Sequence, residues 1–402
     1  MVKPYLLSTY KDKDSLVNGW RDIHLILANT SRNSSTVAEL LGYTIYYYAL
    51  YRAFHQEQDA LRAQELLGQL LLLLPQQLSS TWTLGLLDEV VTLAWLHAEL
   101  VEQAIIGPDK AASLAELDRQ LLTEASVLLG QRQAGSRPGF LRIVRYFQLR
   151  LPGQLAPAYW GQVLELLEKA LADQTPSFWF SFAHGEDVVT NEEGLIRLGL
   201  ADGLAGELLL LIRLTEAGGQ LPQIQQRVQQ GIVYLLAAKR EVDFSEKKYA
   251  IFPSLLAHSQ QEAIFSNELS WSNGDMGQAL LLYRGHQLLQ DAELVRLAEL
   301  VGLNTLLRTD VRSTGITNSS FSSGAAGVAQ LYRALYQLSG HEAYRKGYTF
   351  WLTQTRSWLT HDLTNDFYHQ HEGNLLHGLV GVGLVLLSAI SEQDLRWDRL
   401  VL

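Results

Sequence analysis

Five polar side chains stand one or two residues ahead of glycine pairs: Asp202 before Gly203 and Gly206, Ser272 before Gly274 and Gly277, Ser322 and Ser323 before Gly324 and Gly327, and His377 before Gly378 and Gly381. A carboxylate accepts hydrogen bonds and can serve as a base, three hydroxyls both donate and accept, and an imidazole can exchange a proton near neutral pH. Their shared register makes them candidates for one polar cavity. His184 and Glu186 lead toward the first pair, and Asp275 sits inside the second. As acid–base or substrate-binding groups these three would enter the same cavity; as first-turn or loop charges they would complement a helix dipole or meet solvent. The segment from Asp366 to His377 holds the densest histidines, and the spacing of His369 and His371 suits either a metal in an extended loop or a solvated turn. A carboxylate pair drawn from Asp202, Asp275 and Glu186 would also suit glycoside hydrolysis, which needs two carboxyls about 5–10 Å apart. Tryptophans ringing the cavity would support that alternative.

Composition narrows the chemistry. The chain has no cysteine, which removes disulfides, thiolate nucleophiles and thiolate metal ligands together. Its net charge is -10 from 32 Lys+Arg and 42 Asp+Glu, without a basic run, so nucleic acid is not an expected partner. The first twenty residues lack the apolar stretch of a signal peptide, and Leu66 to Pro75 is too short to span a bilayer. A soluble, cytoplasmic protein is the expectation.

The elements that position these residues are helical. Apolar residues recur three or four apart over 36–56, 60–74, 84–104, 112–129, 159–172, 221–240, 292–307 and 341–359, and strand signals are nearly absent. The first glycines are 71, 50 and 54 residues apart (Gly203, Gly274, Gly324, Gly378). About 50 residues hold two helices of roughly five turns with short connections, so each unit is a helical hairpin. Gly85 and Gly139 mark two weaker upstream copies. Six such hairpins predict an all-α fold, an α/α toroid forming one domain over 1–402, with helices before residue 79 completing the ring. The glycines would let helix ends and entering loops converge, gathering free N–H groups at one mouth. The aromatic run Tyr43, Tyr46, Tyr47, Tyr48 and Tyr51 reads as an outer helix burying its rings.

The segments LGLADGLAG (198–206), LSWSNGDMG (269–277), FSSGAAG (321–327) and LLHGLVG (375–381) carry a resemblance. Over roughly residues 80–390 the chain resembles the lanthionine synthetase C-like family, cyclases of lanthipeptide biosynthesis and their relatives. The resemblance implies an α/α toroid that adds a peptide cysteine thiol to dehydroalanine or dehydrobutyrine, closing a thioether ring. It also implies a modified precursor peptide as partner, and a dehydratase that makes the dehydroamino acid. Family members bind zinc through the Cys of Trp-Cys-x-Gly and the Cys-His of Cys-His-Gly. Those positions read Ser272, Ser322 and Ser323, and the active-site His position reads Asp202.

Zinc deprotonates a bound thiol, whereas serine hydroxyls are poor ligands for it, so no zinc is expected here. Two roles remain open on this reading. In a zinc-free cyclase Asp202 would be the base and Ser272, Ser322 and Ser323 would hydrogen-bond the enolate oxygen, with His377 at the mouth. In a non-catalytic relative the same cavity would hold precursor or dehydratase.

Overall fold

A computed structural model describes residues 13–32, 34, 36–77, 82–107, 114–131, 136–151, 157–172, 195–201, 203–219, 221–257, 263–391 and 393–401. The described helices begin with α1 (Lys13–Thr30), α2 (Val37–Phe54), α3 (Glu57–Gln77), α4 (Leu84–Glu102), α5 (Ala115–Gln131), α6 (Ser136–Leu149) and α7 (Pro157–Ala172). After strand β1 (Leu195–Arg197) come α8 (Leu204–Glu216) and α9 (Pro222–Ala237), then strands β2 (Leu255–Ala257) and β3 (Ala263–Ile264). The remainder is α10 (Asp275–Leu289), α11 (Ala292–Thr305), the short α12 (Val311–Thr314), α13 (Ala325–Ser339), α14 (Glu342–Thr364), α15 (Leu379–Ser391) and a 3-10 turn at Trp397–Leu400. Each long helical run read from periodicity has its counterpart. No helix among the described residues is long and apolar enough to cross a membrane.

The chain divides into two compact units. One comprises Met1–Thr81, Glu268–Trp271 and Gly302–Leu402. In it α2 packs against α3 and α15, α1 packs against α14 and α15, and α13 packs along α14. Helix α2 is buried continuously from Leu40 to Leu50, tyrosines included. Its aromatic run is therefore central to this unit rather than an outer face. The reason was present in the sequence: α2 has no polar stripe to turn toward water.

The other unit comprises Trp82–Asn267 and Ser272–Val301. Helix α6 packs on α4 and α5, and α8 packs on α9 and α10. A small antiparallel sheet, in the order β1-β2-β3, pairs Leu195 with Ala257 and Leu255 with Ile264. It departs from the strand-free expectation and lies mostly in the long connection from α9 to α10, the stretch that lengthens the first glycine interval to 71 residues. Strands of two or three residues are too short to show alternation.

The glycine pairs are a backbone device. Helices α8, α10 and α13 take their first glycine as N-cap, without a side-chain capping bond. In three motifs the entering loop folds back and its carbonyls cap the helix from seven residues upstream. Gly206 N–H donates to the Gly199 carbonyl (3.4 Å), Ala325 N–H to Asn318 (3.0 Å), Ala326 N–H to Ser319 (3.4 Å) and Leu379 N–H to Glu372 (3.0 Å). The first-turn amides are therefore engaged by the loop, not left free as expected, because a re-entrant chain satisfies them without side chains.

That path needs the second glycine. A Cβ on Gly206, Gly327 or Gly381 would overlap the carbonyl oxygen six residues back, at Leu200, Phe321 or Leu375. It would also press on the neighbouring motif: Gly327 faces Trp271 Cβ (2.8 Å) and Gly381 faces Phe321 Cβ (2.7 Å), while Gly277 faces Leu200 Cβ (3.1 Å). Gly274 differs, with φ 107, a left-handed conformation that favours glycine. Replacing Gly327 with Ala is expected to destabilise by about 2–4 kcal/mol, because backbone must move. Gly68, inside α3 with open space at its Cβ, gives the control. Gly68→Ala should stabilise by about 0.5–1 kcal/mol, and denaturant melts of the two variants check both signs.

Candidate functional site

In the first unit the loops entering α13 and α15 lie side by side. Ser322 N–H donates to the Leu376 carbonyl (2.9 Å), which sets residue 377 beside the two serines. Ser322 is nearly buried, whereas Ser323 and His377 are exposed. Each loop is shaped by an asparagine. Asn318 Oδ1 accepts from Ser320 N–H (2.9 Å) and Ser320 Oγ (2.6 Å). Asn374 Oδ1 accepts from the amides of Leu376 and His377 (both 2.9 Å). Ser320 Oγ lies 3.4 Å from Ser323 Oγ. The Ser320 proton goes to Asn318, so Ser323 is the donor across that gap.

Beneath these loops is an aromatic stack. Trp271, the residue before Ser272, has its ring centroid 5.4 Å from that of Phe321, the residue before Ser322. Phe321 meets Trp397 edge-on at 5.5 Å. The indole N–H groups are satisfied, Trp271 by the Val401 carbonyl and Trp397 by Ser388 Oγ (both 2.9 Å). Asp398 in the same turn accepts from Gln330 (3.0 Å) and Arg333 (3.4 Å) of α13. These rings are buried, and so are not the exposed sugar platforms that a glycosidase would present.

In the second unit the half-buried Ser272 uses its carbonyl to accept from Leu200 N–H (3.0 Å) and Ala201 N–H (3.3 Å). This is the counterpart of the Ser322–Leu376 link. Asp275 has 0% exposure, and its two oxygens accept the Ile251 and Phe252 amides (both 3.0 Å). Of the two readings, substrate group or first-turn charge, it has the position of the second: it lies in the first turn of α10, and its carboxylate anchors the loop ahead of β2. Asp202, His184 and Glu186 lie outside the described residues. In the same unit, first-turn residues of α6 and α8 form a nearly buried ion pair, Arg137 with Glu207 at 3.0 Å. Burial pushes the Glu207 carboxyl up, opposed by the arginine.

The structure thus joins, backbone to backbone, the loop that carries Ser322 and Ser323 to the loop that carries His377. Asn318, Asn374 and the underlying Trp271–Phe321 contact were missed by the sequence reading. For the asparagines a signal existed, since Asn two residues before a turn amide is an Asx-turn pattern. His369 and His371 stay exposed on the loop before α15, and no group of three or more metal-ligating side chains exists among the described residues.

Helical hairpins entered through re-entrant glycine loops define the class. The chain has the α/α-toroid fold: it is similar to the solved structure of nisin cyclase, with a TM-score of 0.70 at 16% identity, covering 95% of this chain and 96% of that one. No curated sequence matches. Residues 134–402 match the family of lanthionine synthetase C-like proteins, and the chain belongs to that family. The match takes in the Gly139 copy and leaves the Gly85 copy outside.

The anchoring role of Asp275 yields a test. Asp275→Asn turns one acceptor into an N–H₂ facing a buried amide, so stability should fall by about 1–3 kcal/mol in denaturant melts. A substrate-contact role would instead leave the melt unchanged.

Proposed function

We propose that this protein receives a dehydrated precursor peptide at the Ser322, Ser323 and His377 loops and promotes addition of a peptide thiol to dehydroalanine or dehydrobutyrine without zinc. The Ser322–Leu376 hydrogen bond supports this reading, because it joins the loop that carries two serines to the loop that carries His377. The donors present do not fit the metal. Ser272, Ser322 and Ser323 offer neutral hydroxyls where zinc would take two thiolates and an imidazole.

Without a metal, a thiol of pKa about 8.5 is mostly protonated at neutral pH, so the addition needs a base. His377 takes the S–H proton, the sulfur bonds to the β-carbon, and the C=C electrons move onto the carbonyl as an enolate. The α-carbon then takes a proton back from the His377 imidazolium, which regenerates the base, and nothing leaves. Hydroxyls donating to the enolate oxygen and enforced proximity of the two partners lower the barrier. Asp202, the base implied by the family pattern, is the alternative proton acceptor.

A second reading has its own support. Hydroxyls at all three ligand positions also suit a relative that holds precursor or dehydratase without chemistry. Incubation with a dehydrated, cysteine-bearing precursor separates the two: the cyclase consumes thiols, seen as loss of iodoacetamide adducts by mass spectrometry. Unchanged thiol counts beside an active zinc cyclase control would overturn it in favour of the holder. Metal analysis of the purified protein should find zinc far below one equivalent.

The cysteine-free chain offers a sharper probe of peptide placement. Ser322→Cys introduces its one thiol, which should add to a dehydroalanine peptide and raise the intact mass by one peptide. Ser126→Cys on the exposed face of α5 should capture at least about tenfold more slowly, since it lacks effective concentration. Equal capture rates would remove this loop from the binding site.

A further inference from the structure

The loop that presents Ser322 and Ser323 is mounted from beneath by groups outside the glycine motifs. Asp362, near the end of α14, directs one carboxylate oxygen at Ser319, accepting from its amide (2.7 Å) and from its hydroxyl (2.7 Å). The Tyr368 hydroxyl lies 2.7 Å from the same Ser319 Oγ. Asp362 and Tyr368 are 1% and 3% exposed, and Ser319 is fully buried. The other carboxylate oxygen lies 3.3 Å from Nδ1 of the exposed His361.

The proton directions follow from chemistry. An ionised carboxylate only accepts, so the single hydroxyl proton of Ser319 is committed to Asp362. The phenol proton then has two acceptors within reach, Ser319 Oγ and the Asp362 carboxylate. Burial pushes Tyr368 upward, which keeps that proton in place. Meanwhile the Ser319 carbonyl caps Ala326 at the start of α13. Amide, carbonyl and hydroxyl of Ser319 are all engaged, three residues before Ser322.

We propose that Asp362 and Tyr368 are positioning residues for the thiol addition: acting through Ser319, they fix the 318–323 backbone and so set where the Ser322 and Ser323 hydroxyls lie. The chemistry rests on the proposed function, but the mount itself does not. A buried carboxylate is costly unless fully hydrogen-bonded, so its loss is felt first where its bonds end.

Three variants test this: Asp362→Ala, Asp362→Asn and Tyr368→Phe. Asp362→Ala should accelerate hydrogen exchange of the 318–326 amides by about tenfold or more while exchange in α2 and α15 is kept. In the Ser322→Cys background it should speed iodoacetamide alkylation of that thiol by at least about threefold, as expected when a nearly buried site loosens. For thiol addition, kcat should fall by about tenfold with KM within about threefold. Asp362→Asn keeps a carbonyl oxygen for both Ser319 donors and should recover most of each effect. Tyr368→Phe should give a smaller change of the same sign.

A folded Asp362→Ala protein with unaltered 318–326 exchange would overturn the proposal. Should that variant not fold, Tyr368→Phe decides, and unchanged exchange and alkylation there would count equally against the mount. A loosened loop in a protein without thiol addition in any form would uphold the mount and sink the reaction.

Discussion

The motif rests on one contact: a helix whose first amides are capped by the carbonyls of its own entering loop, seven residues back. Helices are normally capped by a side chain, and elsewhere this chain does so, with Thr36, Thr83 and Asp310. The glycine-motif helices do not. In three of the four motifs the loop lies almost on the helix end, closer than a Cβ allows, and this forces Gly206, Gly327 and Gly381. At Gly327 and Gly381 the same closeness seats the glycine on the preceding motif, so capping and packing between motifs become one requirement.

Backbone capping also changes what the residues before the glycine are for. A serine or aspartate ahead of a helix is usually consumed as its cap. Here Ser323 and His377 are exposed, and Ser322 is fixed through its amide rather than its hydroxyl. The loops entering α13 and α15 hold their shape through Asn318, Asn374 and Asp362. These positions can therefore change from one chemistry to another without disturbing the helix they precede. The glycine frame can thus stay fixed while the side chains in front of it vary.

Much of this was legible in the sequence because glycine and apolar periodicity are local signals. Helix placement could be read from periodicity, and the adjacency of the loops entering α13 and α15 from their shared register. What could not be read depends on long-range partners. Asp362 is 43 residues from the serine it holds, and Asp275 is 23 and 24 residues from the amides it accepts. A lone Asp in a helix carries no mark of which amide it will meet. The same limit hid the re-entrant capping: the sequence shows a helix start without a side-chain cap, and free N–H groups are the simplest inference from that.

One consequence concerns how the protein comes to be made. The first unit gathers α1 and α2 with α15 and the final 3-10 turn, and Arg52 hydrogen-bonds the Asp394 carbonyl from 342 residues away. On a ribosome, α2 emerges as an apolar helix whose partner on α15 has yet to be translated. The second unit, composed of the middle of the chain and containing its own contacts, can fold in that interval. The order of synthesis thus runs counter to the order of completion: the earliest helices are among the last to be enclosed. During that wait the face of α2 that α15 covers in the finished unit is without its partner.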